Sequence, residues 1–378
     1  MRIVVAPDKF KGSLSGQDAA RAIARGMGRA LPDASFDLVP VADGGDGTAQ
    51  TLVAALGGEM INRQVRGPHG KPVTAGYGRL SGGSVAVIEL AQASGLALLA
   101  AGTNDPLTAT TYGTGELIAD AIDHGARRII LAIGGSATND AGVGALSALG
   151  AVFKDANGQP LPPGGAALAS LASIETTALH KRLTGVTIEI ASDVRNPLCG
   201  QTGASAVYGP QKGASPDDVR TLDDALRHFA DVSAAATGVD VRDVPGAGAA
   251  GGVGAGFLAL AHALMRPGAE LVLEVLDFDR HLAGADLVVT GEGKIDRQTL
   301  AGKAPYAVAQ AAGARGVPVV AIAGAIECSG AALDEAGIAC AMPTVFGPMS
   351  LEEAMRRGDE LVAGAAETLA RALCLLQR

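Results

Sequence analysis

Short runs of aliphatic and β-branched residues alternate with Ala-rich stretches of helical length. Arg2-Ile-Val-Val-Ala6 is followed by a helical pattern over Ser15 to Ala30, a strand-like Phe36 to Pro40 and a second helical pattern over Thr48 to Leu56. Continuous apolar runs of strand length joined by helices predict parallel strands buried on both faces, in βαβα order. The pattern returns near the end, where Leu287-Val-Val-Thr290 and Val317 to Ile322 flank a helical Ala304 to Ala312, and a long helix begins at Ser350. Both ends therefore read as Rossmann-like. In between, Val73 to Tyr77 and Ser84 to Leu90 read as neighbouring strands joined by a Ser81-Gly-Gly turn. Arg128 to Ile133 and Val186 to Ala191 read as strands feeding polar loops.

At 378 residues the chain exceeds the size at which one hydrophobic core usually stops growing, so two domains are expected. The fold class is α/β. A Rossmann-like parallel-sheet domain is expected over residues 1–62 and 283–378, with a second, mixed α/β domain inserted over 63–282 and the active site in the cleft between them. The 53 glycines, about twice ordinary usage, call for many tight turns or close backbone approaches to a ligand. A net charge of −9 and 3% aromatic residues leave little material for tracking phosphates or stacking bases, so no nucleic-acid partner is expected. Any bound anion must be met by a few local cations and backbone N–H groups. The cysteines Cys199, Cys328, Cys340 and Cys374 show no CxxC spacing, which fits neither zinc nor a disulfide framework and suits a reducing cytoplasm. No apolar run resembles a signal-peptide core or a membrane span, so no membrane partner is expected.

In parallel α/β sheets ligands gather at the carboxyl ends of strands, so the loops there are the candidates. The first strand runs into Pro7-Asp-Lys-Phe-Lys-Gly-Ser-Leu-Ser15, where Lys9, Lys11 and Ser13 can meet one anion at the start of a helix. The plainer alternative is an N-cap at Ser13 or Ser15 with solvated lysines. The second strand ends in Ala42-Asp-Gly-Gly-Asp-Gly-Thr48. Asp43 and Asp46 there can hold substrate hydroxyls or a hydrated magnesium ion, or Asp46 simply caps the next helix. Arg128 to Ile133 runs into Gly134-Gly-Ser-Ala-Thr-Asn-Asp140, the general form of a phosphate cradle, with Gly134, Gly135, Ser136, Thr138 and Asn139 as candidates. The alternative is a tight turn capped by Thr138 or Asn139. Val186 to Ala191 runs into Ser192-Asp-Val-Arg-Asn-Pro-Leu198, where Asp193 can take a proton from a substrate hydroxyl or bind metal, with Asn196 beside it. An Asx-turn before Pro197 is the alternative. Leu287 to Thr290 runs into Gly291-Glu-Gly-Lys-Ile-Asp296, whose Glu292, Lys294 and Asp296 suit both a carboxylate-bearing substrate and a phosphate, with a surface salt-bridge turn as the alternative.

Other patterns weigh less. Gly246-Ala-Gly-Ala-Ala-Gly251 matches GxGxxG by letters, but the preceding Val239 to Pro245 is a poor strand. GxxxxGK(S/T), GxSxG and HExxH are absent, and the six histidines have no metal-ligand spacing.

Ala6-Pro-Asp-Lys-Phe-Lys-Gly-Ser-Leu-Ser15, Asp43-Gly-Gly-Asp-Gly47, Gly134 to Asp140, Ser192 to Leu198 and Thr290 to Asp296, in this order and spacing, resemble the class I glycerate kinase family over essentially the whole chain. The resemblance implies ATP- and Mg2+-dependent phosphorylation of D-glycerate, usually at the 2-hydroxyl, by two α/β domains in proteins that are often homodimers. It implies no single role for each residue. On chemical grounds Asp193 is expected as the catalytic acceptor or orienter of the hydroxyl. Lys9, Lys11 and Lys294 would serve the substrate carboxylate and the migrating phosphoryl, the Gly134 to Asn139 loop the nucleotide, and Asp193 and Asp296 the metal. The alternatives are transfer to the 3-hydroxyl, an NAD-dependent hydroxy-acid oxidoreductase and a non-catalytic hydroxy-acid binding protein.

Overall fold

The computed structural model describes residues 1–375 and divides into two compact units. The first comprises Met1–Asp43, Ala54–Leu56 and the chain from Pro267 onward; the second comprises Gly44–Val53 and Gly57–Arg266. The domain limits read from the sequence, near 62 and 283, cut the strand Glu59–Arg66 and separate the helices Gly268–Val275 and Phe278–Leu282 from the sheet unit that holds them. Residues 376–378 of the expected C-terminal segment lie outside the described residues.

The first unit is built on a parallel five-stranded sheet. Its spatial order is Ser35–Leu38, Arg2–Pro7, Leu287–Ile295, Val319–Ile326, Cys340–Pro343. Numbered along the chain within the unit this is 2-1-3-4-5, the flavodoxin-type doubly wound order with its switch point between strands 1 and 3. Ile3, Val5, Leu287 and Val289 share one buried cluster with Ala19 and Ile23 of the helix Gly16–Ala30 and Val362 and Ala366 of the helix Gly358–Leu375. Those helices pack so closely that a Cβ on Gly26 would fall 2.1 Å from the Ala363 carbonyl oxygen. The expected long terminal helix is broken into Leu351–Arg356 and Gly358–Leu375. The Ser13 hydroxyl donates to the Met355 carbonyl at 2.6 Å and sits where a Cβ of Gly358 would have to go.

The strand Leu287–Ile295 outlasts its sequence pattern. Arg2–Pro7 pairs with it as far as Gly291, and beyond that point it pairs with Val319–Ile326 alone, up to Ile295 opposite Ile326. Its glycines serve close approach: a Cβ on Gly291 would meet the Ile322 oxygen at 2.2 Å, and one on Gly293 would stand 3.3 Å from the Lys11 nitrogen.

The second unit holds a mixed six-stranded sheet in the order Leu264–Arg266, Thr187–Ala191, Arg128–Ala132, Val85–Glu89, Pro72–Leu80, Glu59–Arg66. The four strands from Leu264–Arg266 to Val85–Glu89 are parallel neighbours, and the remaining pairings are antiparallel. Pro72–Leu80 and Val85–Glu89 meet through the Ser81–Gly83 turn, as their sequences predict. Val152–Lys154 and Ser173–Glu175 form a separate small ribbon.

Candidate active site

Where the strand order of a parallel sheet reverses, the flanking connections diverge and leave a crevice at the carboxyl ends. In the first unit those strands end in Pro7-Asp8-Lys9 and carry Glu292. Asp8 is 5% and Glu292 9% exposed, and Glu292 Oε1 is buried with no hydrogen-bond partner. Burial pushes the Asp8 carboxyl up to about 6, against the Lys9 and Lys303 ammonium groups and with the help of Asp43. Burial likewise pushes Glu292 up to about 7, opposed by its bond to Thr299 and by Lys303 and reinforced by Asp8 and Asp43. Lys9 Nζ stands 3.9 Å from Asp8 Oδ1 and 3.7 Å from Asp43 Oδ1. The fold thus gathers carboxylates and ammonium groups from three separated segments into one field, partly out of water.

The other candidates of this unit have local tasks. Lys11 is exposed on the turn closed by the Phe10–Leu14 bridge. Ser15, not Ser13, caps the helix Gly16–Ala30 by accepting from the Asp18 N–H, while the Ser13 hydroxyl is engaged at Met355. Lys294 pairs with Glu327 at 2.7 Å and lies 3.7 Å from Asp296 Oδ2. Asp296 Oδ1 accepts from the Gln298 and Thr299 N–H groups. Burial raises the Asp296 pKa, but these backbone donors with Lys303 and Lys294 outweigh it, and the net shift is downward.

In the second unit, Asp46 does not cap the helix Thr48–Leu56. Glu89, buried at the end of its own strand, accepts from Gly47 N at 3.1 Å and Ala49 N at 2.8 Å. Gly47 turns at φ +88°, and the exposed Asp46 is left beside the next loop, 3.3 Å from where a Cβ of Gly135 would stand. Replacing Glu89 by Ala removes the acceptor of two N–H groups and is expected to cost about 1–2 kcal/mol of stability, readable by chemical denaturation.

The Gly134 to Asp140 loop turns inward after Gly135. Gly134 and Gly135 are exposed, whereas Ser136, Thr138, Asn139 and Asp140 are buried. The Thr138 hydroxyl and Asn139 Oδ1 have no hydrogen-bond partner, and Asn139 Nδ2 donates to the Ser205 hydroxyl. The donors opening the short helix Val143–Ala148 are already taken. Asp140 accepts from the N–H groups of Thr111, Gly142 and Gly144 and from the Thr111 hydroxyl, and that hydroxyl accepts from Ala145 N. Burial raises the Asp140 pKa, and these donors oppose the rise. The solvent-facing part of the cradle is therefore the Gly134–Gly135 turn, not the helix end.

The GxGxxG-like run serves the same loop. Val239 to Pro245 is not a strand, and a Cβ on Gly251 would fall 2.2 Å from the Thr138 oxygen, on Gly256 1.9 Å from the Ala141 oxygen and on Gly248 2.1 Å from the Pro197 oxygen. These glycines let the segment 248–260 press against the 138–141 and 197 backbone, which accounts for them without a dinucleotide.

Asp193 is exposed in a loop pinned on both sides. Ser192 N donates to the Arg266 carbonyl, Leu198 N to Arg242, and Gly248 N to Asn196. The Asn196 side chain is used inside that loop, donating to the Thr202 carbonyl and accepting from the Tyr208 hydroxyl.

The family model of the glycerate kinase family matches residues 3–374. This chain belongs to that family. A glycerate kinase of Halalkalibacterium halodurans is 48% identical over 97% of both chains, and a glycerate 2-kinase of Escherichia coli 44% identical over 100% of this chain and 99% of its own. A crystal structure from Salmonella typhimurium, provisionally described as glycerate kinase 2, superposes with a TM-score of 0.91 at 44% identity over 100% and 99% of the two chains. As a glycerate kinase family member the chain is an enzyme of the kinase class, with ATP as phosphoryl donor. Among the described residues no helix is long and apolar enough to cross a membrane.

The sequence reading of this glycerate kinase family member missed Asp8, Lys303, Glu89, Asp140 and Lys212. Asp8 lies inside the Ala6 to Ser15 motif, and its place directly after a buried strand is the available signal. Lys212, 2% exposed with Nζ donating to the Thr138 carbonyl at 2.7 Å, carried no local signal.

Proposed function

We propose that this enzyme transfers the γ-phosphoryl group of ATP to the 2-hydroxyl of D-glycerate. The observation that carries the choice of acceptor is the Asp8, Lys9, Asp43 and Glu292 group at the switch point. A three-carbon acid presents one carboxylate and two hydroxyls, and Lys9 with Lys11 can meet the carboxylate while Asp43 and the unpartnered Glu292 Oε1 accept from hydroxyls. Phosphoryl transfer needs positioning, charge neutralisation and an acceptor or orienter for the attacking hydroxyl, with no covalent intermediate. Asp193 on its pinned loop takes that last role, Gly134 and Gly135 offer N–H groups to nucleotide phosphate, and Lys294 is assigned a charge-neutralising role.

The residues fit a magnesium ion. A phosphate on the Gly134–Gly135 turn would stand beside the Asp46 carboxylate, and two anions so placed call for a cation. Among the described residues no cluster of three or more acidic, His or Cys side chains is arranged to hold a metal alone. Magnesium prefers one or two carboxylates with water and phosphate. Asp46 with Asp193 would hold it; when bound it supplies neutralisation of phosphate charge. We further read the enzyme as cytoplasmic and homodimeric, with ATP and D-glycerate as its partners and no nucleic acid or membrane. The family resemblance supports the dimer, and the net charge of −9 speaks against nucleic acid. Coupled detection of ADP with D-glycerate as acceptor tests the activity. ADP formation only with glycerate present is expected, and glycerate binding without ADP release would overturn the proposal.

A further inference from the structure

Lys212 ends the short turn of helix Pro210–Lys212 and lies 2% exposed beneath the Gly134 to Asp140 loop. Its Nζ donates to the Thr138 carbonyl at 2.7 Å, and its own carbonyl accepts from Asn104 Nδ2, which also donates to the Ala137 carbonyl at 2.9 Å. Lys212 and Asn104 together therefore tie down the segment in which Thr138 Oγ1 and Asn139 Oδ1 are buried without partners. A lysine so buried is unfavourable unless a nearby negative charge or a ligand balances it. Asp140 is the charged side chain acting on it, while Asn104 and Thr138, which touch it from other segments, are neutral. Asp140 is itself satisfied by backbone and hydroxyl donors.

We propose that Lys212 is a positioning residue for phosphoryl transfer: it fixes the Gly134 to Asp140 loop through the Thr138 carbonyl and supplies, from inside, positive charge that favours a nucleotide phosphate on the exposed Gly134–Gly135 turn. This rests on the reading of that turn as the nucleotide site. Its consequence is a proton linkage. Burial lowers the Lys212 pKa to about 7, with Asp140 opposing, so at pH 8 the free enzyme holds this amine mostly neutral. A triphosphate arriving above it favours the charged form, and the amine takes up a proton.

The test is calorimetric titration of the non-hydrolysable analogue AMP-PNP with Mg2+ into the full-length enzyme at pH 8, in two buffers of different ionisation enthalpy. The wild type should bind with uptake of about half to one proton, as a pKa near 7 allows. Lys212→Met should bind about tenfold more weakly with no uptake, and Lys212→Arg should recover affinity without uptake, since arginine does not titrate. In turnover, Lys212→Met should raise KM for ATP while leaving KM for D-glycerate unchanged. Binding by the wild type without proton uptake overturns the inference even if the variants do not fold, as does Lys212→Met with wild-type affinity and linkage. Absence of any nucleotide binding would overturn the reading of the Gly134–Gly135 turn, and this inference with it.

Discussion

Replacing Asp193 by Asn is expected to lower turnover with ATP and D-glycerate by about 10²–10⁴-fold, the usual worth of a positioned proton acceptor. The substitution keeps the shape of the side chain and removes its ability to accept the hydroxyl proton. Stability should move by no more than about 0.5 kcal/mol, because Asp193 is exposed and the loop is held by backbone bonds from Ser192, Leu198 and Gly248 that the change does not touch. Steady-state kinetics paired with thermal melting reads both. Near-normal turnover would remove Asp193 from the role and shift attention to Asp8 and Glu292, the buried carboxylates at the switch point.

Glu292→Gln should raise stability at alkaline pH while lowering turnover. With burial the leading cause, the Glu292 pKa is raised from 4.5 to about 7 in the folded chain. The folded state therefore binds more protons than the unfolded one between those values, and this group's contribution to stability is lost as pH rises from about 4.5 to 7. At pH 8 the ionised carboxylate, its Oε1 unpartnered, costs on the order of 3 kcal/mol, less whatever solvent recovers. The amide carries no charge to bury, so Glu292→Gln is expected to melt higher than the wild type at pH 8 and about equally at pH 5. Turnover should fall by at least about tenfold, the loss of one charged contact to substrate. A variant that is both less stable at pH 8 and fully active would show that Glu292 is an ordinary structural residue. A destabilising carboxylate kept in a site is the usual compromise between stability and activity.

Much of this was legible in the chain itself, for reasons that differ by element. The strands Arg2–Pro7 and Arg128–Ala132 and the helix Thr48–Leu56 follow their hydrophobic patterns because burial on one or both faces dictates them. The length of Leu287–Ile295 was hidden, since its far half contains Gly291, Glu292, Gly293 and Lys294, residues placed by neighbouring backbone and by chemistry rather than by propensity. Capping was legible where it is local, as at Ser15, and illegible where Glu89 caps a helix 40 residues earlier in the chain. The same holds for the site. Strand-end loops stand out in sequence, but which of their side chains face solvent depends on contacts from afar. Thr138 and Asn139 turn inward because Gly251 and Lys212, remote in sequence, pack against them. The glycine run at 246–251, which resembles a dinucleotide motif by letters, has its explanation in that same packing.

The most direct measurement is the phosphorus NMR spectrum of the product formed from ATP and D-glycerate, recorded without proton decoupling. Phosphate on the 2-position couples to the single methine proton, so a new monoester doublet is expected, appearing in step with ADP. A triplet, from phosphate next to the methylene group, would contradict the assigned hydroxyl; the absence of any new ester signal while the protein is folded would contradict the assigned reaction.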